Sequence, residues 1–458
     1  MPPRSFARCA ASPSCPRRFG LRISWHGLSQ PANHEVGHEI RLPAPRPRVR
    51  LRRVTVVPLQ KQILRGVRLS PEAWLVVCSA AIAFSLKLWL DLTTFGSNDV
   101  YYWTVYSKYI YTKGSFTIYR DIDIYNHPPL ISAWLWLMER INGPSHDRYF
   151  PQLVRAPVIL ADLGSTMLVW ILAQTRFDRP RAVMVSCIFA LSPILIMVSG
   201  FHGNTDPVFM FLILLALYGM IVKDSWLWAA ITLGLAMNIK LVPIIMIPAF
   251  FFWIRPWRTR IRFLGTTLLM LVLGYGYHFA MMPHDMLRNV FLYSSLKHIW
   301  GIGRFWDDYD AIGKAVLFTT ITGFSWFKGW QAAHASASDR GRHLLDAFSC
   351  TFLSFLVFTP GFGVQYLSWC VAPLAFVGPW ASLGYSLLGG LFLFRVYTFW
   401  SRGFPWYYAN SLALGQWVGV DRTLDRLLWE FLGIVLVGVT WRIGAEYLDS
   451  RAAAGRVA

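Results

Sequence analysis

Residues 74–92, WLVVCSAAIAFSLKLWLDL, form an apolar run that is long enough to cross a membrane as a helix. A polar and aromatic stretch, SNDVYYW, follows at residues 97–103 and carries Asp99. In lipid a chain must satisfy its own backbone hydrogen bonds, which restricts spanning segments to helices or closed barrels. Long continuous runs favour helices, so we expect Asp99 just outside a first membrane-spanning helix.

The composition of the chain supports a membrane protein. Only 15% of its 458 residues are charged and 55% are hydrophobic, whereas about a quarter of the residues of soluble globular domains are charged. We therefore expect an all-α polytopic membrane protein with about twelve transmembrane helices. The apolar runs place them near residues 73–92, 153–173, 181–199, 206–222, 225–239, 241–254, 263–282, 311–329, 344–358, 366–380, 383–400 and 427–443.

The first 70 residues differ from the rest of the chain. They are rich in Arg and Pro and contribute +12 of the net charge of +20. They lack the apolar stretch of a signal peptide, so we predict a disordered, basic cytoplasmic tail over residues 1–70. A lipid-binding arm and upstream sequence from a misassigned start codon are the alternatives. The chain contains no basic and aromatic module that resembles an RNA-binding domain, which argues against nucleic-acid binding.

The basic loops set the predicted orientation. Residues 176–181 and 255–262 are short and rich in Arg, and such loops are favoured on the cytoplasmic side. Residues 71–446 then form the transmembrane domain, with a large first extracytoplasmic loop at 93–152 and a short cytoplasmic tail at 447–458. Residues 129–138 are apolar but too few to span a membrane unassisted, so we predict an interfacial helix there.

Three acidic or basic positions at the predicted span ends could carry chemistry. Asp99 opens the first outer loop, and Asp206 closes the stretch His202-Gly203-Asn204-Thr205-Asp206. Either Asp could instead cap a helix, which is a common role for Asp. Lys240 is flanked by apolar residues, where an ammonium is costly unless it reaches the interface or meets an anion. Phosphate binding and snorkelling therefore both fit Lys240.

Other polar residues accompany these positions. Arg155 and Asp162 are seven residues apart on one face of the second span. They could pair with each other, and Arg155 lies near the outer end, where a phosphate could reach it. Gln365 and Tyr366 form a polar pair at the start of a late helix. Each of these signals is weak by itself.

Taken in order, these stretches resemble the GT-C superfamily of integral membrane glycosyltransferases over roughly residues 75–380. The closest resemblance is to polyprenyl-phosphate-mannose-dependent mannosyltransferases, which include bacterial enzymes of phosphatidylinositol mannoside assembly and the first mannosyltransferase of GPI-anchor synthesis. The matching stretches are Asp99 with its Tyr-rich continuation, Tyr125-Asn126-His127-Pro128-Pro129-Leu130, Arg155 to Leu172, Gly203-Asn204-Thr205-Asp206, Lys240-Leu241-Val242-Pro243 and Gln365-Tyr366-Leu367-Ser368-Trp369.

The resemblance implies a role for each site residue. Asp99 would be the general base or a metal-assisting acid, and Asp206 the second acid of the site, while Lys240 and Arg155 would face the phosphate of a lipid-linked sugar donor. The substrate pocket would be lined by His127, His202, Asn204, Gln365 and Tyr366. Some family members use a divalent metal such as Mg²⁺ or Mn²⁺ and others do not. The single Asp99, preceded by Asn98 and not by a second acid, does not decide between them.

The expected reaction is transfer of a hexose, mannose by resemblance, from polyprenyl phosphate to a lipid or glycan acceptor. A carboxylate takes the proton of the attacking hydroxyl, a cation stabilises the leaving phosphate, and a single displacement inverts the anomeric carbon. We expect this at the outer face of a bacterial plasma membrane. The alternative is a multi-span secondary transporter or flippase, which should carry paired charges or broken helices near the middle of the membrane.

Overall fold

The computed structural model describes residues 70–143, 149–293, 295–411 and 422–455. The predicted basic tail lies outside the described residues except for Ser70. Within the described part the chain is almost entirely helical, and its strands are two residues long. The helices are α1 Pro71–Thr93, α2 Asn98–Lys113, α3 Ile118–Asp121, α4 Pro129–Asn142, α5 Phe150–Ala173, α6 Arg179–Ala190, α7 Pro193–Met197, α8 Asp206–Ile221, α9 Trp226–Ile239, α10 Ile247–Trp253, α11 Trp257–Met281, α12 Pro283–Met286, α13 Tyr309–His334, α14 Arg340–Phe358, α15 Val371–Val377, α16 Pro379–Trp400 and α17 Arg422–Gly455.

Five helical stretches among the described residues are long and apolar enough to cross a membrane. They are Pro71–Thr93, Phe150–Ala173, Arg179–His202, Trp257–Met281 and Arg422–Asp449. The protein is therefore an α-helical integral membrane protein, as its composition predicted. The twelve predicted spans fall largely on helical backbone, although 181–199 is broken at Leu191 and Ser192 and 366–380 at Gly378. Several of these helices are shorter than a bilayer requires. The number twelve stays a prediction.

Short helical turns interrupt the second half of the bundle and explain the shorter helices. A π-helical turn, Val198–His202, follows α7, and 3₁₀ turns occupy Val242–Met246 and Val364–Cys370. Pro243 and Pro373 lie at or just beyond these turns, and proline cannot continue the α-helical hydrogen-bond ladder.

The first outer loop folds into α2, α3 and α4 and packs against the bundle. Ser97 caps α2, because its hydroxyl accepts a hydrogen bond from the N–H of Asp99 at 3.1 Å. Helix α4 has 14 residues and rises about 21 Å, less than the roughly 30 Å of a hydrocarbon core. It buries Ile131 and Leu135 and exposes Leu137 and Ile141, as an interfacial helix would.

Two pairs of short strands join distant loops beside the first outer loop. β1 Gly96–Ser97 pairs in parallel with β4 Tyr408–Ala409. β2 Leu296–Lys297 pairs antiparallel with β3 Gly361–Phe362. The first pair brings the segment after α16 next to Asp99, and the second fixes residues 295–297 over the start of the Val364–Cys370 turn.

Candidate active site

Asp99 lies at the first turn of α2 with its carboxylate pointed at the turn between α7 and α8. Its Oδ2 accepts a hydrogen bond from Asn204 Nδ2 at 2.5 Å and faces His202 Nε2 at 3.2 Å. The Asp99 side chain is 29% exposed, whereas that of His202 is 5% exposed. Because Ser97 already caps the helix, the Asp99 carboxylate is not a capping group. The helix-cap alternative for Asp99 is therefore wrong.

Both ring nitrogens of His202 have partners: Nε2 faces Asp99, and Nδ1 faces Tyr397. Its Nδ1 lies 3.0 Å from the hydroxyl of Tyr397, which is buried in α16, and its backbone carbonyl accepts a hydrogen bond from Ser97 Oγ at 2.7 Å. Gly203 then takes a positive φ of 77°. A Cβ at this position would lie 2.3 Å from Val100 Cγ2, so the turn requires glycine both for its dihedral and for space.

Asn204 connects the two acids of the site. Its Nδ2 donates to Asp99, and its Oδ1 accepts a hydrogen bond from the backbone N–H of Asp206 at 3.1 Å. Asp206 is the first residue of α8, after the cap position Thr205. The side chain of Asp206 is turned away from the helix end toward Lys240, so capping does not explain it either.

Asp206 and Lys240 form a partly buried ion pair. Asp206 Oδ1 lies 2.5 Å from Lys240 Nζ, and Asp206 Oδ2 accepts a hydrogen bond from Trp369 Nε1 at 2.7 Å. The ammonium also lies 5.3 Å and 5.0 Å from the ring centres of Tyr366 and Trp369, a favourable cation–π distance. Asp206 is fully buried, while the Lys240 side chain keeps 22% of its surface exposed.

Two cavities meet at this group of residues. The larger, of about 400 Å³, is lined by Lys240 and His127 together with apolar side chains that include Ile244, Phe318 and Phe355. The smaller, of about 180 Å³, is lined by Asp99, His202 and Gln365, among others. Tyr293, Ser295 and Tyr366 line both cavities. The carboxylate of Asp99 and the ammonium of Lys240 thus face adjoining spaces of different polarity.

The pKa values of Asp99 and His127 are both lowered, which leaves the carboxylate charged and the imidazole uncharged. Burial would raise the pKa of Asp99, but the charge on His202 and the hydrogen bonds from His202 and Asn204 outweigh it and lower that pKa to about 2. Burial together with the nearby charge of Lys240 lowers the pKa of His127 to about 3. At neutral pH Asp99 is therefore an anion, and His127, which packs 4.3 Å from the Trp103 ring, is an uncharged imidazole.

The described residues do not form a metal site from protein side chains alone. The described residues contain no group of three His, Cys, Asp or Glu side chains placed to share an ion. In addition, Asp99 Oδ2 and both carboxylate oxygens of Asp206 already face N–H donors, which occupy the positions that a cation would take.

Arg155 differs from the prediction. It is fully buried, forms an ion pair with Asp91 at 2.8 Å, and donates to the carbonyl oxygens of Asp91, Thr94 and Gly200. It lines neither cavity. Since its donors are engaged in joining α1 to the Val198–His202 turn, we no longer assign Arg155 to a donor phosphate.

The proposed pairing of Arg155 with Asp162 is also wrong. Asp162 forms an ion pair with Lys87 of α1 at 2.8 Å and accepts a hydrogen bond from Ser199 at 2.5 Å. Asp162 thus belongs to a buried ion pair, but its partner comes from a neighbouring helix.

Sequence reasoning missed three aromatic residues of the site. Tyr397 lies inside an apolar span, and Tyr293 lies in a loop of mixed polar and apolar residues. At neither position do the neighbouring residues indicate a functional site. Trp369 follows the predicted pair Gln365-Tyr366, but nothing in the sequence indicates that its indole would reach Asp206. By contrast, Asp99, His127, His202, Asn204, Asp206, Lys240, Gln365 and Tyr366 all lie around the two cavities.

Known proteins match the part of the chain that carries most of this site. Residues 126–276 match the family described as dolichyl-phosphate-mannose-protein mannosyltransferase. This range includes His127, the His202–Asp206 turn and Lys240, but not Asp99 or Gln365.

Three yeast proteins named GPI mannosyltransferase 1 are also similar. That of Debaryomyces hansenii is 24% identical over 251 residues, which cover 48% of this chain and 58% of the relative. That of Saccharomyces cerevisiae is 28% identical over 197 residues, covering 41% and 46%. That of Candida albicans is 30% identical over 91 residues, covering 20% and 23%. The chain thus spans about half the length of the first two relatives. These matches confirm the resemblance that the sequence motifs predicted, to integral membrane mannosyltransferases of the GT-C superfamily.

Proposed function

We propose that this protein transfers mannose from a polyprenyl-phosphate-linked donor to a hydroxyl group of a lipid or glycan acceptor. The observation that carries the proposal is the adjoining pair of cavities, one largely apolar and facing Lys240, the other smaller, with a higher share of polar lining, and facing Asp99. A reaction between a lipid-linked donor and a hydroxyl acceptor needs two such spaces meeting at one point. Tyr293 and Tyr366 line both of them at that point.

The larger cavity fits the donor. Its walls include Val242, Ile244 and Leu317, which suit the isoprenoid chain next to the phosphate. Lys240 supplies a cation that can stabilise the charge of the departing phosphate. Lys314, which also lines this cavity, adds positive potential for an anionic lipid.

The smaller cavity fits the acceptor. The acceptor oxygen attacks the anomeric carbon as the bond from that carbon to the phosphate oxygen breaks, and its electron pair leaves with the phosphate. Asp99 receives the proton of the hydroxyl. A carboxylate with a pKa near 2 is a weak base, but the hydroxyl becomes strongly acidic as its oxygen bonds to carbon. Proton transfer late in the displacement therefore suits Asp99.

The names of the matched proteins support the sugar and the donor class. GPI mannosyltransferase 1 and dolichyl-phosphate-mannose-protein mannosyltransferase both refer to mannose, and the second also refers to a polyprenyl-phosphate donor. We propose a glycolipid as the acceptor on the same ground. Glucose and arabinose remain the competing sugars.

We place the site on the extracytoplasmic face. The Arg-rich segments 176–181 and 255–262 follow the ends of α5 and α10 that point away from Asp99 and Lys240, which agrees with the positive-inside rule. A bacterial plasma membrane is our proposal from the sequence, whereas the matched relatives are from yeasts.

One observation bears on the transporter alternative. Lys87 and Asp162 form a buried ion pair between two membrane-spanning helices, which is a feature expected of transporters. However, Asp162 also binds Ser199, and neither Lys87 nor Asp162 lines the two cavities. The Lys87–Asp162 ion pair therefore stabilises the packing of the two helices and lines no pathway for a transported substrate.

The testing experiment uses the purified chain in lipid vesicles with polyprenyl-phosphate-mannose or polyprenyl-phosphate-glucose, each radiolabelled in the sugar. We expect wild-type protein to transfer mannose to acceptors in a lipid extract, and Asp99→Asn not to transfer it. A folded wild type that moves the labelled donor between leaflets without any transfer would instead support a flippase.

A further inference from the structure

A second charged cluster lies at the other end of the bundle. Asp346, in the second turn of α14, is contacted by three cations from three other segments: Arg176 after α5, Lys328 of α13 and Arg442 of α17. Helix α14 ends at Phe358, beside Thr359 of the larger site cavity. Twelve residues of helix separate Asp346 from that end, about 18 Å along the axis. The cluster is therefore remote from Asp99 and Lys240, on the face predicted to be cytoplasmic.

Positive charge exceeds negative charge inside this cluster. Asp346 Oδ1 lies 2.7 Å from Arg176 and 3.2 Å from Arg442, and its Oδ2 lies 2.9 Å from Lys328. The side chains of Arg176, Lys328 and Asp346 are 8%, 1% and 6% exposed. One buried carboxylate thus faces three cations, although unbalanced buried charge is costly. The buried Arg176 Nε has no hydrogen-bond partner among the described residues.

A cavity opens beside the cluster. It has a volume of about 420 Å³, within the range of about 300–1,000 Å³ that is typical of small-molecule sites. Its lining includes Arg176, Arg342 and Arg442. The other two acids of the lining, Asp339 and Glu446, are 45% and 53% exposed and lie at the rim beside Arg342 and Arg442. Arg342 and Arg442 are 53% and 36% exposed, so water screens them as it screens the rim acids, whereas the buried Arg176 and Lys328 share Asp346 as their one buried acid.

We propose that this cavity binds a phosphate group, which supplies the negative charge that Asp346 alone does not. Arginine side chains match phosphate oxygens with paired N–H donors, and the three arginines of the lining come from separate segments. A bound phosphate would tie together α13, α14, α17 and the segment after α5. The group is either the headgroup of a lipid in the cytoplasmic leaflet or a free phosphate ion.

The first test measures thermal unfolding of the full chain in a phosphate-free, non-ionic detergent. Sodium phosphate is compared with sodium chloride at matched ionic strength, and phosphatidic acid with uncharged diacylglycerol. We expect phosphate, phosphatidic acid or both to raise Tm by about 2 °C or more, since a ligand that binds only the folded state stabilises it. A rise with the lipid alone assigns the site to a headgroup, and a rise with both assigns it to phosphate from either source. No rise with either probe overturns the proposal.

Exposed residues provide variants that keep the buried cluster intact. Arg342→Gln removes a cation from the lining, and Glu446→Gln removes an acid from it; their side chains are 53% exposed in both cases. Arg181→Gln is the matched control, because Arg181 is 69% exposed on the same face, lies beside Asp178 and does not line the cavity. For each variant, the Tm with phosphate is compared with its own Tm without phosphate, so a change in basal stability does not affect the measured rise.

The expected order of the phosphate-induced rise is Glu446→Gln above wild type and Arg342→Gln below it, with Arg342→Gln losing at least half of the rise. Arg181→Gln should equal wild type. An equal rise in all four proteins would mean that phosphate acts elsewhere, and would overturn the proposal.

Discussion

The two carboxylates of the site occupy contrasting environments although Asn204 joins them. Asp99 is 29% exposed and faces the smaller cavity, and His202 and Asn204 both contact its Oδ2. Asp206 is fully buried, and its two oxygens are taken by Lys240 and Trp369. The contrast indicates different roles for the two carboxylates. Asp99 is available to a substrate hydroxyl, whereas Asp206 positions the cation that would face the donor phosphate.

The largest expected effect tests the Asp99 side of this contrast. Asp99→Asn keeps the shape and the contact with His202 but removes the base, so we expect the rate of sugar transfer to fall by about 10³-fold. Initial rates with radiolabelled donor measure it. Asp123→Asn is the control, because Asp123 lies in the same loop and its side chain is 77% exposed. A wild-type rate in Asp99→Asn would exclude Asp99 as the base.

The second prediction concerns the donor side. Lys240→Ala removes the cation nearest to the apolar cavity, and we expect kcat/KM for the donor to fall by about 10²-fold. Acceptor KM should change little, because Lys240 does not line the smaller cavity. Steady-state kinetics with each substrate varied in turn distinguish the two. Equal losses for donor and acceptor would contradict a phosphate contact, and Lys223→Ala, an exposed lysine on the opposite face, is the matched control.

The third prediction separates positioning from chemistry at Asp206. Asp206→Asn leaves Lys240 without its partner, so we expect a fall in transfer rate of about 10-fold and a loss of stability of about 2 kcal/mol. Thermal unfolding should show a lower Tm for Asp206→Asn than for Asp99→Asn. In the Asp206→Asn background, Lys240→Ala should cost less than it does in the wild type. Additive losses would mean that the two side chains act independently.

The smallest effect is a pH dependence at the edge of the site. The folded-state pKa of His127, about 3, lies below its ordinary value of 6.5. Between these values the unfolded chain binds a proton that the folded chain does not, so acidification from pH 6.5 lowers stability. His127→Gln removes this term. Between pH 7 and pH 5 we expect the variant's free energy of unfolding to fall less than that of the wild type, by on the order of 1 kcal/mol, and thermal unfolding at each pH measures the difference.

The control for this prediction is His284→Gln, whose side chain is 87% exposed and lies outside both cavities. It should follow the wild-type pH profile. Identical profiles for His127→Gln and wild type would show that His127 is protonated in the folded protein as readily as in the unfolded chain.

The sequence predicted the helices well, because a membrane forces long apolar runs to form helices and leaves few alternatives. Their ends agree less closely where proline-containing turns interrupt the runs, as at Pro243. The two acids, His202, Asn204 and Lys240 could be placed in one site because the stretches that carry them follow one another in the order of the family that the chain resembles. The metal and the sugar could not be read from these residues.

Partners that come from distant segments could not be predicted. Arg155 and Asp162 share a helix face, but Asp91 and Lys87 on the neighbouring α1 lie closer to their charged groups. Likewise, Tyr397 reaches His202 from 195 residues further along the chain. Spacing within one helix gives the direction of a side chain, but only the packing of helices gives its partner.

Asn204 makes the two halves of the site mechanically dependent. An amide has one donating and one accepting end, and Asn204 uses the first for the Asp99 carboxylate and the second for the first N–H of α8. When a donor phosphate draws Lys240 away from Asp206, any shift at the start of α8 is passed through two hydrogen bonds to Asp99. The orientation of the base on one side of the site is therefore tied, through one amide, to the start of α8 on the other side.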